Sequence, residues 1–113
     1  MTHPVNHFEI IGRDGAKLRK FYGDLFGWKI NADNPMNYGI VEAAEGGIGG
    51  GVAQGDAPAV TFYVHVDDPS AALKQVEAMG GKIVSPPMDV PGGPTIAKFA
   101  DPEGNVIGLV KGM

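Results

Sequence analysis

The sequence predicts an α+β protein made of two βαβββ modules, and two observations support this fold class. Residues 7–30 align without a gap to residues 61–84, at an offset of 54. Each copy also reads as a strand, a helix and three more strands, because apolar residues repeat first every two and then about every 3.6 positions. We therefore assign residues 1–113 to one domain, with module 1 at residues 5–53 and module 2 at residues 60–111.

Each module has one predicted helix with recognisable ends. Asp14 and Asp68 precede the helical stretches, where a carboxylate accepts hydrogen bonds from free N–H groups of the first turn. Gly27 ends the first helix, and the glycine pair at 80–81 ends the second. The first helix carries an apolar stripe at helical spacing, formed by Leu18, Phe21, Tyr22, Leu25 and Phe26.

The strands that follow the helices complete the repeat. Residues 38–52 align with residues 96–110 at an offset of 58, which pairs Gly50 with Gly108. The second module also contains the segment PPMDVPGG at 86–93. We predict a loop there, because proline removes a backbone hydrogen-bond donor.

The composition limits the classes of function. The chain has 113 residues, of which 43% are hydrophobic and 19% charged, as in a globular domain. It has no cysteine, which excludes disulfides and thiolate chemistry. The net charge of −4 argues against nucleic acid as a partner, since binding it needs a concentrated positive field. No apolar run approaches the ~20 residues of a membrane span and no signal peptide is evident, so we expect a cytoplasmic protein with no membrane partner.

Strand alternation divides the first strand of each module into two faces. One face is purely apolar, with Phe8 and Ile10 in module 1 and Phe62, Val64 and Val66 in module 2. We expect these faces to lie under the helices. The opposite faces carry His7, Glu9, Thr61, Tyr63 and His65. The alternation alone fits either a ligand pocket or a sheet face open to solvent.

Four segments, HFEI, FYGDLFGW, VHVDD and DPEGN, occur in an order and spacing that resemble the vicinal oxygen chelate superfamily. This superfamily includes glyoxalase I, bleomycin-resistance proteins and extradiol dioxygenases. The resemblance covers nearly the whole chain. It implies that the modules form a cup-shaped mixed sheet, with the helices on the outer face and a small organic ligand inside. It also implies a homodimer, in which modules pair within a chain or between chains.

The resemblance places four metal-ligand positions of the metal-dependent relatives at His7, Gly50, Thr61 and Gly108. Glycine offers no side chain and threonine is a poor ligand, whereas a catalytic metal usually needs three protein ligands. We therefore predict no family metal site and no cofactor. A displaced site with His7, Glu9 and His65 is disfavoured, because His65 lies ~13 Å along the strand from the family position.

The candidate ligand-binding residues are His7, Glu9, Trp28, Tyr38, Gly50, Thr61, Tyr63, His65, Lys98 and Gly108. His7 and Glu9 are also candidate catalytic residues, because imidazole titrates near neutral pH and a buried carboxylate can act as a base. Each candidate has a structural interpretation too. Tyr63 and Trp28 are suited to packing, Lys98 can extend to solvent, and His7 can simply be hydrogen-bonded.

These observations favour a glyoxalase/bleomycin-resistance-like protein that binds a small organic molecule without the family metal site. The alternative is a lyase, isomerase or dioxygenase-type enzyme of the same superfamily. Such an enzyme would use a non-standard metal site or metal-free acid–base chemistry by His7 and Glu9. A third interpretation is an accessory domain that acts through protein contacts.

Overall fold

Strand, helix and three strands follow one another twice along the chain. The computed structural model describes residues 2–112. Its elements are β1 (Val5–Gly12), α1 (Gly15–Phe26), β2 (Ile30–Asn31), β3 (Gly39–Val41), β4 (Gly49–Gln54), β5 (Ala59–His65), α2 (Pro69–Ala78), β6 (Lys82–Asp89), β7 (Thr95–Ala100) and β8 (Val106–Lys111). This order confirms the α+β class and the two βαβββ modules. Neither helix in this part of the chain has the length and apolar character needed to cross a membrane.

Residue contacts divide the chain into two compact units. One unit is Asn6–Thr61, and its strand order is β2-β3-β4-β1. In it β1 runs parallel to β4, so that Phe8 lies opposite Gly50 and Glu9 lies opposite Gly51. The antiparallel strand β3 continues this sheet on the other side of β4.

The other unit contains residues 2–5 and 62–112, with the strand order β5-β8-β7-β6. Here β5 runs parallel to β8, and β7 is antiparallel to both β8 and β6. Its core joins the helix to one sheet face through Val66, Leu73, Ala97 and Leu109. Val64 packs against this cluster, which confirms that the apolar face of β5 lies under α2.

The predicted starts of both helices and the end of α1 at Gly27 are confirmed, whereas the C-cap of α2 is Met79, the residue before the predicted glycine pair. The Asp14 carboxylate accepts a hydrogen bond from the backbone N–H of Lys17 at 3.1 Å, and that of Asp68 accepts one from Ala71 at 3.1 Å. Each bond satisfies a donor that has no partner within the first helical turn. Gly27 ends α1 in the left-handed conformation with φ 69°, which glycine adopts without steric cost.

The register corrects the pairing of Gly50 with Gly108 in the sequence repeat. Ile40 lies opposite Gly51 in the β3–β4 pair, while Lys98 lies opposite Gly108 in the β7–β8 pair. The connection between β3 and β4 in module 1 is therefore one residue longer than the connection between β7 and β8 in module 2. The residue equivalent to Gly108 is therefore Gly51. A gap-free alignment cannot show this, because positions 50 and 51 are both glycine and either one can be matched to Gly108.

The prediction of a loop at 86–93 is wrong for its first half. Strand β6 continues to Asp89, and only the turn around 90–94 joins it to β7. Ser85 pairs with Lys98 and Met88 pairs with Ile96, with a register irregularity between them that contains the two prolines. Because β6 is the last strand of its unit, a residue without a backbone donor is tolerated there.

Gly108 lies near the centre of β8 because a neighbouring side chain needs the space. A Cβ atom at this position would collide with the ring of Tyr63, which lies opposite on β5. The Tyr63 side chain is buried, with 4% of its surface exposed, so the ring cannot move aside without repacking. Tyr63 and Gly108 thus form one packing unit.

We predict that Gly108→Ala lowers the free energy of unfolding by about 1–3 kcal/mol, the usual cost of overpacking a core. Urea or thermal denaturation would measure this change. Gly47→Ala is a matched control, because a Cβ there meets nothing closer than the Ala44 carbonyl oxygen at 3.5 Å. Equal stability of the two variants would contradict this role of Gly108.

Candidate functional site

Two ionisable side chains are buried on one face of β1. His7 and Glu9 are each only 8% exposed, and they alternate with Phe8 so that both point to the same side of the strand. Ile11 continues this face. Because burying polar groups is costly unless they are hydrogen-bonded, their partners decide what this face can do.

Tyr38 bridges the two buried side chains. Its hydroxyl donates to Glu9 Oε2 at 2.9 Å and lies 2.9 Å from His7 Nε2. A phenol has one proton, and here it is directed to Glu9, so the hydroxyl oxygen accepts from the Nε2–H of His7. In the neutral imidazole this leaves Nδ1 without a proton, as the acceptor or base. We call this hydrogen-bonded set the His7–Tyr38–Glu9 relay.

Burial and the neighbouring carboxylate act in opposite directions on His7. Desolvation lowers the pKa of His7 from its ordinary value of 6.5, while the negative charge of Glu9 raises it by a smaller amount. The net result is a lowered pKa and a neutral imidazole at pH 7. Since the unfolded chain binds this proton more readily, His7 destabilises the fold as the pH falls from 6.5 through the lowered pKa.

The Tyr38 side chain extends across β4 because Gly51 has no side chain. A Cβ atom at Gly51 would collide with the Tyr38 hydroxyl and ring. Gly51 lies opposite Glu9 in the parallel β1–β4 pair, so it faces the same side as the relay. The absence of a side chain at Gly51 therefore leaves the space in which the phenol lies between His7 and Glu9.

The loop before β3 holds the backbone of Tyr38. Asn34 Oδ1 accepts from the Tyr38 N–H at 2.9 Å, and Asn34 Nδ2 donates to the Tyr38 carbonyl oxygen at 2.7 Å. Tyr38 is the residue directly before β3. Hydrogen bonds from the loop therefore fix the backbone position from which the Tyr38 side chain extends.

An open groove of about 370 Å³ adjoins the relay at Tyr38. Ile11 and Ala53 lie opposite each other on β1 and β4, on the face of His7 and Glu9. The full lining consists of Ile11, Met36, Asn37, Tyr38, Ala53 and Gln54. The Gln54 side chain lies on the opposite face of β4, where its Oε1 accepts from the backbone N–H of Gly15 at 3.1 Å.

Two predicted site residues lie on the other face of this sheet. Gly50 lies opposite Phe8, and a Cβ at Gly50 would collide with the Phe8 ring. Trp28 packs against Phe8 and Tyr22, with ring centroids 5.2 and 5.6 Å apart. Trp28 and Gly50 therefore belong to the aromatic packing under α1, which agrees with the packing interpretation of Trp28 and places Gly50 on the face opposite His7.

The remaining predicted residues lie on β5, β7 and β8. Tyr63 and Lys98 both lie opposite Gly108, so these three share one face of the second unit. His65 lies two residues beyond Tyr63, and its backbone N–H donates to the Pro4 carbonyl oxygen at 2.8 Å. Thr61 precedes Tyr63 by the same spacing and is half-buried.

The donor set does not fit the four-ligand metal arrangement that the resemblance implies. The residues of β4 on the face of His7 are Gly49, Gly51 and Ala53, so the corrected register still provides no ligand. The other two positions implied by the resemblance are Thr61 and Gly108. The four positions together therefore offer one imidazole and no carboxylate. Across residues 2–112, no three His, Cys, Asp or Glu side chains are grouped closely enough to hold a metal ion.

Sequence reasoning missed Asn34, Gly51 and most of the groove. The Asn34–Tyr38 spacing of four is a usable signal, because a short amide side chain can bond to backbone groups a few residues away. Ile11 could have been found by extending the strand alternation from His7 and Glu9. The contribution of Gln54 depends on the β1–β4 register, which no local pattern specifies.

The comparisons with known proteins agree with this fold. A family model described as Glyoxalase/Bleomycin resistance protein/Dioxygenase superfamily matches residues 5–109. The chain belongs to this superfamily, which confirms the resemblance seen in its sequence segments. A hypothetical protein from Bacillus halodurans shares the fold, with a TM-score of 0.72 and 13% identity over 100% of this chain and 96% of that chain.

Two curated relatives are more similar in sequence. The putative glyoxylase CFP32 of Mycobacterium tuberculosis is 29% identical over 92% of this chain and 44% of its own length. The anthracycline biosynthesis protein DnrV of Streptomyces peucetius is 32% identical over 86% of this chain and 42% of its own length. The chain thus spans less than half of the length of these relatives.

We predict that Glu9→Gln lowers the pKa of His7 further, because it removes the charge that opposes the effect of burial. Proton NMR titration of the imidazole signals would measure this, with His7→Gln used to assign the resonance. Glu45→Gln in the exposed β3–β4 connection is the control and should leave the titration unchanged. A higher pKa of His7 in Glu9→Gln would contradict an ionised Glu9 beside this imidazole.

Proposed function

We propose that this protein binds a small, partly apolar organic molecule in the groove beside Tyr38, without the family metal. The observation that carries this proposal is that Tyr38 belongs to both features. Its hydroxyl completes the buried relay with His7 and Glu9, and the same residue lines the groove. A ligand in the groove can therefore contact a polar group whose partners are already in place.

The groove has the mixed chemistry of a ligand site. Its lining combines the apolar residues Ile11, Ala53 and Met36 with the polar residues Asn37 and Tyr38. Ligand pockets of about 300–1,000 Å³ usually combine apolar walls with a few oriented polar groups. The volume of about 370 Å³ suits a small molecule or one part of a larger one.

The comparisons support an organic ligand of this kind. The family description includes bleomycin resistance, and one relative is named for anthracycline biosynthesis. Bleomycin and the anthracyclines are organic compounds. A ligand of this class suits a groove lined by both apolar and polar residues. Because the chain spans less than half of that relative, whether it acts on such compounds is part of the proposal.

The second candidate function is metal-free acid–base catalysis as a lyase or isomerase. The observation that favours it is the protonation state of His7, whose Nδ1 has no proton in the neutral form set by Tyr38. The lowered pKa of His7 keeps this nitrogen available as a base at pH 7. In an isomerisation one base can accept a substrate proton and return it at another carbon, whereas in a lyase reaction the base takes the proton while the leaving group departs.

The binding proposal predicts that Tyr38→Phe weakens binding about tenfold, the upper range for losing one hydrogen bond. Ile11→Glu should abolish binding, because it puts a charged side chain on the groove wall. Isothermal titration calorimetry with bleomycin and with an anthracycline would measure both. Tyr22→Phe is the matched control, because Tyr22 stacks on Trp28 away from the groove.

Native mass spectrometry of protein purified without chelator or metal-binding tag tests the metal-free part. We expect a protein without a transition metal, with or without a bound organic compound. A stoichiometric transition metal would contradict this part of the proposal. Binding that is equal in wild type, Tyr38→Phe and Ile11→Glu would contradict the groove as the ligand site.

We also propose that the protein is a homodimer. Helix α1 exposes three large apolar side chains, with Phe21, Leu25 and Phe26 each 57–58% exposed. Large apolar side chains grouped on one surface are typical of an interface. A second copy is the occupant we favour, because one apolar patch can pack against the same patch of another copy across a two-fold axis.

We expect wild-type protein to sediment as a dimer and Leu25→Lys to sediment as a monomer at the same concentration. A charge at the centre of an apolar interface is left without water or a partner, which costs binding free energy. Met79→Lys is the control, because Met79 is 80% exposed and lies outside α1. A monomeric wild type, or dimers in both variants, would contradict this interface.

A further inference from the structure

We infer that Asn34 is a positioning residue, which holds Tyr38 so that its hydroxyl stays between His7 and Glu9. The inference rests on the proposed function, in which the relay is the polar anchor of the ligand groove. It extends that function to Asn34, whose side chain forms its two hydrogen bonds with the backbone of Tyr38. Asn34 acts only through the backbone of Tyr38.

The two hydrogen bonds between Asn34 and Tyr38 use both functions of the side-chain amide. Its oxygen accepts from the Tyr38 N–H at 2.9 Å, and its nitrogen donates to the Tyr38 carbonyl oxygen at 2.7 Å. Asparagine is the side chain of this length that offers a donor and an acceptor together. Both backbone polar groups of one residue are therefore bound by one side chain.

These bonds matter because Tyr38 lies just outside the strand ladder. The β3–β4 pairing begins with Gly39 opposite Val52, and the β2–β3 pairing covers only Ile40 and Val41 of β3. Asn34 thus provides the backbone contacts of the residue immediately before the strand. A change in the direction of the chain at Tyr38 would move the hydroxyl, which lies at the far end of the side chain.

The turn between Asn34 and Tyr38 is itself closed by backbone geometry. The N–H of Asn37 donates to the carbonyl oxygen of Asn34 at 3.0 Å. Asn37 has φ 51°, a left-handed conformation that asparagine tolerates better than most residues. Met36 and Asn37 in this turn also line the groove, so Asn34 holds one wall of the groove as well as the relay.

Loss of the Asn34 side chain should therefore loosen the relay without removing any of its members. The Tyr38 ring would no longer be held over Gly51, and water would reach His7. Because burial is the main cause of the lowered pKa of His7, that pKa should rise towards its ordinary value. A residue that only stabilised the loop would lower thermal stability without this change.

The last residue of β2, directly before the same loop, offers a matched control. Asn31 Oδ1 accepts from the backbone N–H of Asp33 at 2.8 Å, so Asn31→Ala also removes an asparagine that stabilises a turn. That bond does not involve Tyr38. Asn34→Ala and Asn31→Ala therefore make the same chemical change three residues apart, and only the first should affect the relay.

The test is an NMR pH titration of His7 in wild type, Asn34→Ala and Asn31→Ala, all with the intact chain. We expect a raised pKa of His7 in Asn34→Ala and a wild-type titration in Asn31→Ala. In a Tyr38→Phe background, Asn34→Ala should add much less, because the two residues act through one contact. Should Asn34→Ala fail to fold, Asn34→Ser, which keeps a polar side chain but loses the donor to the Tyr38 carbonyl oxygen, should give a shift in the same direction.

Two results would overturn the inference. One is an unchanged pKa of His7 in Asn34→Ala, and the other is an equal rise in Asn31→Ala. The titration needs no ligand, so its outcome is separate from that of the binding proposal. A raised pKa of His7 with unchanged anthracycline affinity would support the positioning role and count against the proposed function.

Discussion

The hydroxyl group of Tyr38 is the contact on which the candidate site depends. His7 and Glu9 are both buried, and a buried polar group without a hydrogen-bond partner costs free energy. One phenol can donate to the carboxylate and accept from the imidazole at the same time. The directions of these two bonds also decide which nitrogen of His7 holds the proton. A change in the position of Tyr38 would therefore alter both the stability and the chemistry of this face.

Glycine makes room for a tyrosine ring in both modules, although the rings come from different neighbours. Tyr63 lies opposite Gly108 on the adjacent parallel strand β5. The equivalent glycine, Gly51, has Glu9 opposite it on β1, and Tyr38 reaches it from the side of β3. The backbones of the modules are alike, while their side chains differ. Module 1 thus acquires a buried carboxylate and imidazole where module 2 has an aromatic ring.

Membership of the glyoxalase/bleomycin resistance protein/dioxygenase superfamily sets the fold, and the side chains of module 1 set what it can do. Where metal-dependent relatives would use a side-chain ligand on β4, this chain has glycine with the phenol of Tyr38 above it. That replacement removes a metal ligand and adds a hydrogen-bonding group at the groove. The binding and acid–base proposals both depend on this exchange, and they differ in whether His7 transfers a proton.

The sequence by itself determined the two βαβββ modules, the capped helices and the pairing of His7 with Glu9 on one face, because these follow from short-range periodicity. It paired Gly50 with Gly108, whereas the strand register places Gly51 at the position equivalent to Gly108 and Gly50 on the other face. Only the tertiary structure decided the contacts of Gly51. Which glycine of the run at 49–51 faces Tyr38 depends on the length of the connection between β3 and β4. A register shift of one residue reverses every side chain on a strand, and no local pattern reports that shift.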